Sequence, residues 1–274
     1  MAYRPLSSEA GHIHVCAHRG HSIGAPENTL AALTAAADLG ATVAEIDVVL
    51  TRDLEIVLLH DEIVDRTTNG RGRAADLDLS ALKRLDAGAW FDPQFAGTSV
   101  PTLREALAEA RSYEIGLLVE IKERQQPDAM IERLGRLLES ENAIDDVLVI
   151  SFDHPSLVRL RGRFPAIRTE IITHARHADP VAMARRTGAT SVSIEWDMFS
   201  TEDAEALHGA GIAVRVTLPR PERLAFRKSY GYDDEARVAT ELAAGHIDVL
   251  AGDDTAYLRR LVEAAAPNAF NRPA

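Results

Sequence analysis

The sequence lacks several features that would place a protein in a class at once. No uninterrupted apolar stretch reaches the ~18 residues that a transmembrane helix needs, so no stable membrane anchor is expected. The first residues, MAYRPLSSEAGH, have no basic start followed by an apolar run; no secretory leader is visible, and a cytoplasmic protein is expected. Cationic excess is missing too. Lys and Arg number 30 against 42 Asp and Glu, a balance of −12 that argues against a nucleic-acid or anionic-membrane surface as the main partner. A small anionic substrate stays open wherever basic residues converge. One cysteine, Cys16, cannot form an internal disulfide, and its apolar neighbours predict a buried structural thiol. No Gly-x-Gly-x-x-Gly follows the first predicted strand, so a dinucleotide site has no support.

What is present is an alternation. Apolar runs at 13–17, 42–50, 115–121, 147–151, 168–172, 191–195, 212–217 and 247–251 read as strands, with helices predicted at 30–39, 103–111, 128–140, 155–163, 180–187, 201–210, 234–244 and 255–265. Asn28 or Thr29 is the expected N-cap of the first of these helices, and Gly40 suits the position beyond its last turn. Residues 62–100 break the pattern and read as a small insertion after the second strand, with Trp90 and Phe91 expected in its own core. Eight strands alternating with helices predict a (β/α)₈ TIM barrel, a single domain over 1–274 carrying that insertion; an open doubly wound sheet is the alternative. A TIM barrel places its chemistry at the C-terminal ends of the strands.

The candidate chemistry sits at such ends. Side chains alternate along a strand, so Glu45 and Asp47 share a face, as do Glu120 and Lys122 on the next main strand. Three carboxylates converging in a barrel mouth repel one another unless a cation lies among them. An all-oxygen set suits one divalent metal, Mg²⁺ or Ca²⁺ before Mn²⁺ or Zn²⁺. The competing arrangement is an ion-pair cluster of these acids with Arg19 and Lys122. His18 and His60 end two different strands beside the acids, and histidine can take or give a proton near neutrality. Arg19 and Lys122 offer charge for phosphate oxygens. Asp61 reads as a histidine-orienting residue or as a turn former. Glu195 and Trp196 read as pocket residues or as ordinary packing. His12, His14, His174 and His177 are expected at the surface.

These residues stand in a recognisable order: His18-Arg19-Gly20 and Pro26-Glu27-Asn28-Thr29, Glu45-Ile46-Asp47, His60-Asp61 with Arg66-Thr67-Thr68-Asn69-Gly70, Val100-Pro101-Thr102-Leu103, and Glu120-Ile121-Lys122. The order and spacing resemble the glycerophosphodiester phosphodiesterase family. The resemblance implies a TIM barrel with an insertion after the second strand, and hydrolysis of a small-molecule glycerophosphodiester to sn-glycerol 3-phosphate and an alcohol. It further implies a divalent metal on Glu45, Asp47 and Glu120, acid–base work by His18 and His60, and phosphate contacts from Arg19 and Lys122. The C-terminal third departs from the family pattern at Val216-Thr217-Leu218-Pro219 and at Ala251-Gly252-Asp253, and carries extra length at 227–237. Alternative readings are a phospholipase D-like or cyclising lyase acting on lysophospholipids, and a barrel that binds phosphodiesters without turnover.

Overall fold

A computed structural model describes residues 3–265. A short helix α1 (Ser7–Ala10) leads into β1 (His14–His18), α2 (Leu30–Asp38), β2 (Val43–Leu50) and β3 (Ile56–Leu58). There follow α3 (Leu79–Leu82), α4 (Leu103–Ser112), β4 (Gly116–Ile121), α5 (Pro127–Ser140), β5 (Val147–Ser151), α6 (His154–Arg163), β6 (Thr169–Thr173), α7 (Pro180–Thr187) and β7 (Ser191–Glu195). The described chain ends with α8 (Thr201–Gly209), β8 (Ala213–Thr217), α9 (Pro221–Lys228), α10 (Asp234–Ala243), β9 (Val249–Gly252) and α11 (Thr255–Ala265).

Strands buried on both faces read as continuous apolar runs, and such strands lie parallel beneath a layer of helices. Eight of them pair in parallel among the described residues, and β1 closes the sheet by pairing with both β2 and β9. The result is the closed (β/α)₈ barrel, not an open sheet. β3 lies antiparallel on β2, with Val48 opposite Leu58, and starts an excursion that returns to the barrel at α4. A small cluster of Val49, Val57, Leu59, Val64, Ala74, Leu82, Ala87 and Val100 holds that excursion together. Trp90 is 41% exposed and stands outside this cluster, in an edge-to-face chain with Phe91 and Phe95, because its ring nitrogen is turned to the Ala87 carbonyl.

Alternate residues face inward. Cys16, Val43, Leu118, Leu148, Ile150, Ile172, Val249 and Ala251 fill the barrel interior together with Tyr3. The Tyr3 ring lies against Gly116, the first residue of β4, so the N-terminal segment closes the end where the strands begin. Cys16 is fully buried, and burial pushes its thiol up to about 12, as a structural thiol requires. The remaining large core lies between strands and helices.

Helix termini follow local chemistry. Thr29 caps α2, its hydroxyl accepting from the Ala32 amide, which frees Asn28 for another task. Thr102 and Glu105 form a reciprocal capping box on α4. The sequence pattern predicts no helix at 221–228, yet Pro221 opens α9 there: the run is only eight residues long, half of them charged, and buries one residue, Leu224. His14 is buried rather than at the surface, its ring bonded to the Arg4 carbonyl and the Thr42 hydroxyl.

Candidate active site

The inward residues that follow the apolar interior toward the C-terminal ends of the strands are charged. Register places His18 opposite Glu45, and Asp47 opposite Glu120. One oxygen each from Glu45, Asp47 and Glu120 lies within 4.8 Å of the others, with all three residues buried. Burial, and then repulsion from Asp47, pushes the Glu45 carboxyl up to about 8. The same two causes raise Glu120.

Arg19 and Lys122 face this cluster. Lys122 Nζ lies 2.6 Å from Glu120 and 3.3 Å from Asp47; its burial opposes the charge, but those carboxylates raise its pKa. The Arg19 amide donates to Glu45 at 3.0 Å, its Nε lies 3.3 Å from Asp47, and its Nη1 donates to Glu27. These contacts hold Arg19 at φ 58°, in the left-handed region. Gly20 follows at φ 77° directly against α2: a Cβ there would meet the Ala32 backbone at 2.6 Å. The His-Arg-Gly order thus has a steric basis as well as a chemical one.

Even with both cations present, Glu45 Oε1 and Asp47 Oδ1 are buried without a hydrogen-bond partner, Asp47 Oδ1 meeting only the Lys122 ammonium as an ion pair at 3.3 Å. Buried polar oxygens are rarely left unpaired. Three carboxylates with two such oxygens fit a hard divalent cation.

The two histidines are held alike. Nδ1 of His18 is 2.6 Å from Asp253, whose other oxygen accepts from Arg220 Nε at 2.6 Å. Nδ1 of His60 is 2.7 Å from Asp61, whose other oxygen accepts from Arg66 Nε at 2.6 Å. Arg66 also reaches Glu27 through both terminal nitrogens, and Glu27 in turn holds Arg19. Burial works against a charge on His18, but the Asp253 hydrogen bond and the Glu45 field outweigh it and raise its pKa. Asp253, despite its burial, is held well below the usual carboxylate range by His18 and Arg220. The Nε2 of His18 lies 4.0 Å from Glu45, toward the acid cluster.

A cavity of about 690 Å³ opens over this arrangement and is lined by His18, Arg19, Glu45, His60, Glu120 and Lys122. Glu195 lines its far rim, bonded to His174, which stacks on Phe152 at 4.4 Å. His174 therefore has an acidic partner that sequence order conceals. For Trp196 the packing reading holds, and the pocket reading does not. The residue is 1% exposed, stacked on Phe199 and bonded to Asp234, because the short turn after β7 folds its ring under the wall.

Three participants escape sequence reasoning. Asn28, at φ 57°, clamps Asp47 from both sides, its Oδ1 accepting from the Asp47 amide and its Nδ2 donating to the carboxylate. Asp253 is the second. Arg215, 4% exposed, lines the cavity and donates through Nε and Nη2 to buried Glu170, which also accepts from Ser191. A charge inside an apolar strand run marks Glu170 and Arg215 as it marks Glu45, though in shorter strands.

No helix among the described residues is long and apolar enough to cross a membrane. Comparison with known proteins agrees with the geometry. The pattern of the Glycerophosphoryl diester phosphodiesterase family matches residues 18–234. A glycerophosphodiester phosphodiesterase of Caldanaerobacter subterraneus is 38% identical over 179 residues, covering 65% of this chain and 74% of that one. The alignments span about two thirds to three quarters of the bacterial relatives from Bacillus subtilis and Caldanaerobacter subterraneus, and about a third of the mammalian ones. An Oleispira antarctica phosphodiesterase, solved with its product sn-glycerol-3-phosphate, superposes with a TM-score of 0.79 at 27% identity, covering 93% of this chain and 99% of that one. A glycerophosphodiester phosphodiesterase from Agrobacterium tumefaciens gives 0.75 at 28% identity, over 90% and 99%. With residues 18–234 matched and the barrel shared, the chain belongs to the glycerophosphoryl diester phosphodiesterase family and is an enzyme of that class.

Proposed function

We propose that this enzyme hydrolyses glycerophosphodiesters to sn-glycerol 3-phosphate and an alcohol, with His18 and His60 as its proton-transfer groups. One observation carries the reading: a single cavity is lined by two aspartate-held histidines, two cations, and Glu45 and Glu120 of the buried carboxylate trio. An aspartate on Nδ1 makes that nitrogen the protonated one, which leaves Nε2 of each ring to take or give a proton. Arg19 and Lys122 then contact the non-bridging phosphate oxygens, exchanging part of their carboxylate contacts for the substrate. One histidine takes the proton of the attacking water. The other protonates the departing alcohol as the P–O bond to it breaks. Asn28 keeps Asp47 oriented throughout, and Arg215 supplies fixed positive charge on the cavity wall.

Glu45, Asp47 and Glu120 would hold one divalent metal, Mg²⁺ or Ca²⁺ by the oxygen donor set. Bound there, the ion supplies charge neutralisation for the phosphodiester. The product seen in the Oleispira relative supports glycerophosphodiesters as the substrate class. The test is incubation with glycerophosphocholine, with and without EDTA, followed by phosphorus NMR. Glycerol phosphate formed only without EDTA is the expected result. A cyclic phosphate product, or undiminished turnover in EDTA, would overturn the reading.

A further inference from the structure

Exposed apolar side chains scattered singly over a protein are ordinary; a bias toward one face is not. Among the described residues ten large hydrophobic side chains are substantially exposed, and eight of them lie on segments that leave the C-terminal ends of barrel strands. That is the face on which the cavity opens. Ile23 follows β1, Ile63 follows β3 and Met198 follows β7. The most exposed three share the segment after β8: Phe226 at 63%, Tyr230 at 70% and Tyr232 at 60%.

This segment is built as a unit. The rings of Phe226 and Tyr230 lie 5.1 Å apart, and the Arg227 guanidinium stands 5.3 Å from the Tyr232 ring. Arg220, Arg223 and Lys228 stand beside them, their side chains 61%, 64% and 56% exposed. Arg223 and Lys228 make exposed ion pairs with Asp197 and Asp233, and pairs this exposed contribute little and exchange readily for other anions, whereas Arg220 and Arg227 are tied to the more buried Asp253 and Asp234. Rings interleaved with Arg and Lys are the composition of segments that rest at a membrane–water interface, where rings sit at headgroup depth and cations meet phosphate. The segment also borders the cavity, since it begins after Thr217 on the cavity wall and Arg220 holds Asp253.

We infer that this face docks on a phospholipid–water interface, through Phe226, Tyr230 and Tyr232, so that a phosphodiester still carrying an acyl chain is presented to the cavity. Docking itself is independent of the proposed activity; only the presented substrate rests on that reading. Phosphate headgroups complement the cations, and no net charge is required of the lipid.

The experiment is co-sedimentation of the full chain with vesicles of phosphatidylcholine and phosphatidylglycerol, comparing wild type with F226D/Y230D/Y232D and with the milder F226A/Y230A. Wild type is expected to partition to the vesicles, and the triple variant to lose on the order of tenfold or more of that partitioning. Turnover of water-soluble glycerophosphocholine should be equal in both, whereas turnover of micellar lysophosphatidylcholine should fall in the variants. Circular dichroism reports whether the variants fold. Absence of vesicle binding by wild type, or equal binding by folded variants, overturns the inference. A concentration-dependent dimer that the substitutions abolish, without vesicle binding, assigns the face to a second copy and overturns it too. Failure to hydrolyse glycerophosphocholine with vesicle binding intact sinks the proposed activity and leaves docking standing.

Discussion

His18 and His60 are held by the same chemistry and supported in opposite ways. His60 draws its aspartate from the next residue and its arginine from five residues beyond that, so the stretch from His60 to Arg66 is self-bracing. His18 draws its aspartate from 235 residues away, at the end of β9, and that aspartate leans on Arg220 from the start of α9. The arginines differ as well. Arg66 is shared between Asp61 and Glu27 and, through Glu27, braces Arg19; Arg220 is 61% exposed and holds Asp253 alone among the hydrogen bonds described. One histidine depends on local sequence, the other on barrel closure. The lesson is that equivalent geometry at the two sides of a site says nothing about equal robustness.

Removing either ring tests whether the two sides are equal in chemistry. His18→Ala and His60→Ala should each lower kcat/KM for glycerophosphocholine by on the order of 10²–10⁴, with the thermal midpoint little changed. Near-wild-type turnover in either variant ends its assignment as an acid–base group. The shared floor comes next. Glu45→Gln relieves repulsion at a carboxyl pushed up to about 8, so in EDTA the variant should melt no lower than wild type. It should also lose the rise in melting temperature that added Mg²⁺ or Ca²⁺ gives wild type. A lower melting temperature in EDTA, or an undiminished metal-induced rise, contradicts the repulsion argument.

A smaller effect separates the supports from the rings. Asp61→Asn and Asp253→Asn should each reduce kcat by roughly 10- to 100-fold with little change in KM, because the ring loses its orientation and not its substrate contact. Arg66→Ala should cost more than Arg220→Ala, since it also releases Glu27 and Arg19. The reverse order in steady-state kinetics would mean that the Glu27 link does not brace the His60 side.

The smallest effect is on stability. His18 has a raised pKa in the folded protein, so its contribution is complete below the unfolded value of about 6.5 and is lost as pH climbs through the folded value. Asp253 is depressed, so its contribution is complete above about 3.9 and is lost as pH falls through its low folded value. Their pair therefore stabilises most between those limits. The melting-temperature gap between wild type and Asp253→Asn should be widest in mildly acidic buffer and narrow by a few degrees toward alkaline pH. A gap that widens with pH would contradict the raised value.

Much of the barrel is legible in the order of apolar runs, and the predicted strand ends fall within about two residues of the observed ones, a tolerance inherent in defining such ends. Glu45, Asp47 and Glu120 stand out because a charge costs too much in a buried strand to be there without reason. The same argument covers Glu170 and Arg215, which lie in shorter runs where the signal is weaker. Between Asn28 and Thr29 the sequence cannot choose a cap, since an Asx residue before a helix suits that role as well as Thr; the position of Asp47 diverts Asn28 and leaves the cap to Thr29. Trp196 is left undecided by the sequence because strand ends in a barrel can line the mouth or pack beneath it, and a single turn after β7 buries the ring.

By itself, the sequence determined the alternation of strands and helices, the insertion, and the residue types that carry charge into the interior. These follow from periodicity and from the cost of burying charge, both of which are local. Only the tertiary structure decided which aspartate meets His18, that Arg66 and Arg19 share Glu27, and that the exposed rings gather on the face where the cavity opens. The His18–Asp253 pairing depends on closure of β9 onto β1, and closure joins residues that no local pattern relates.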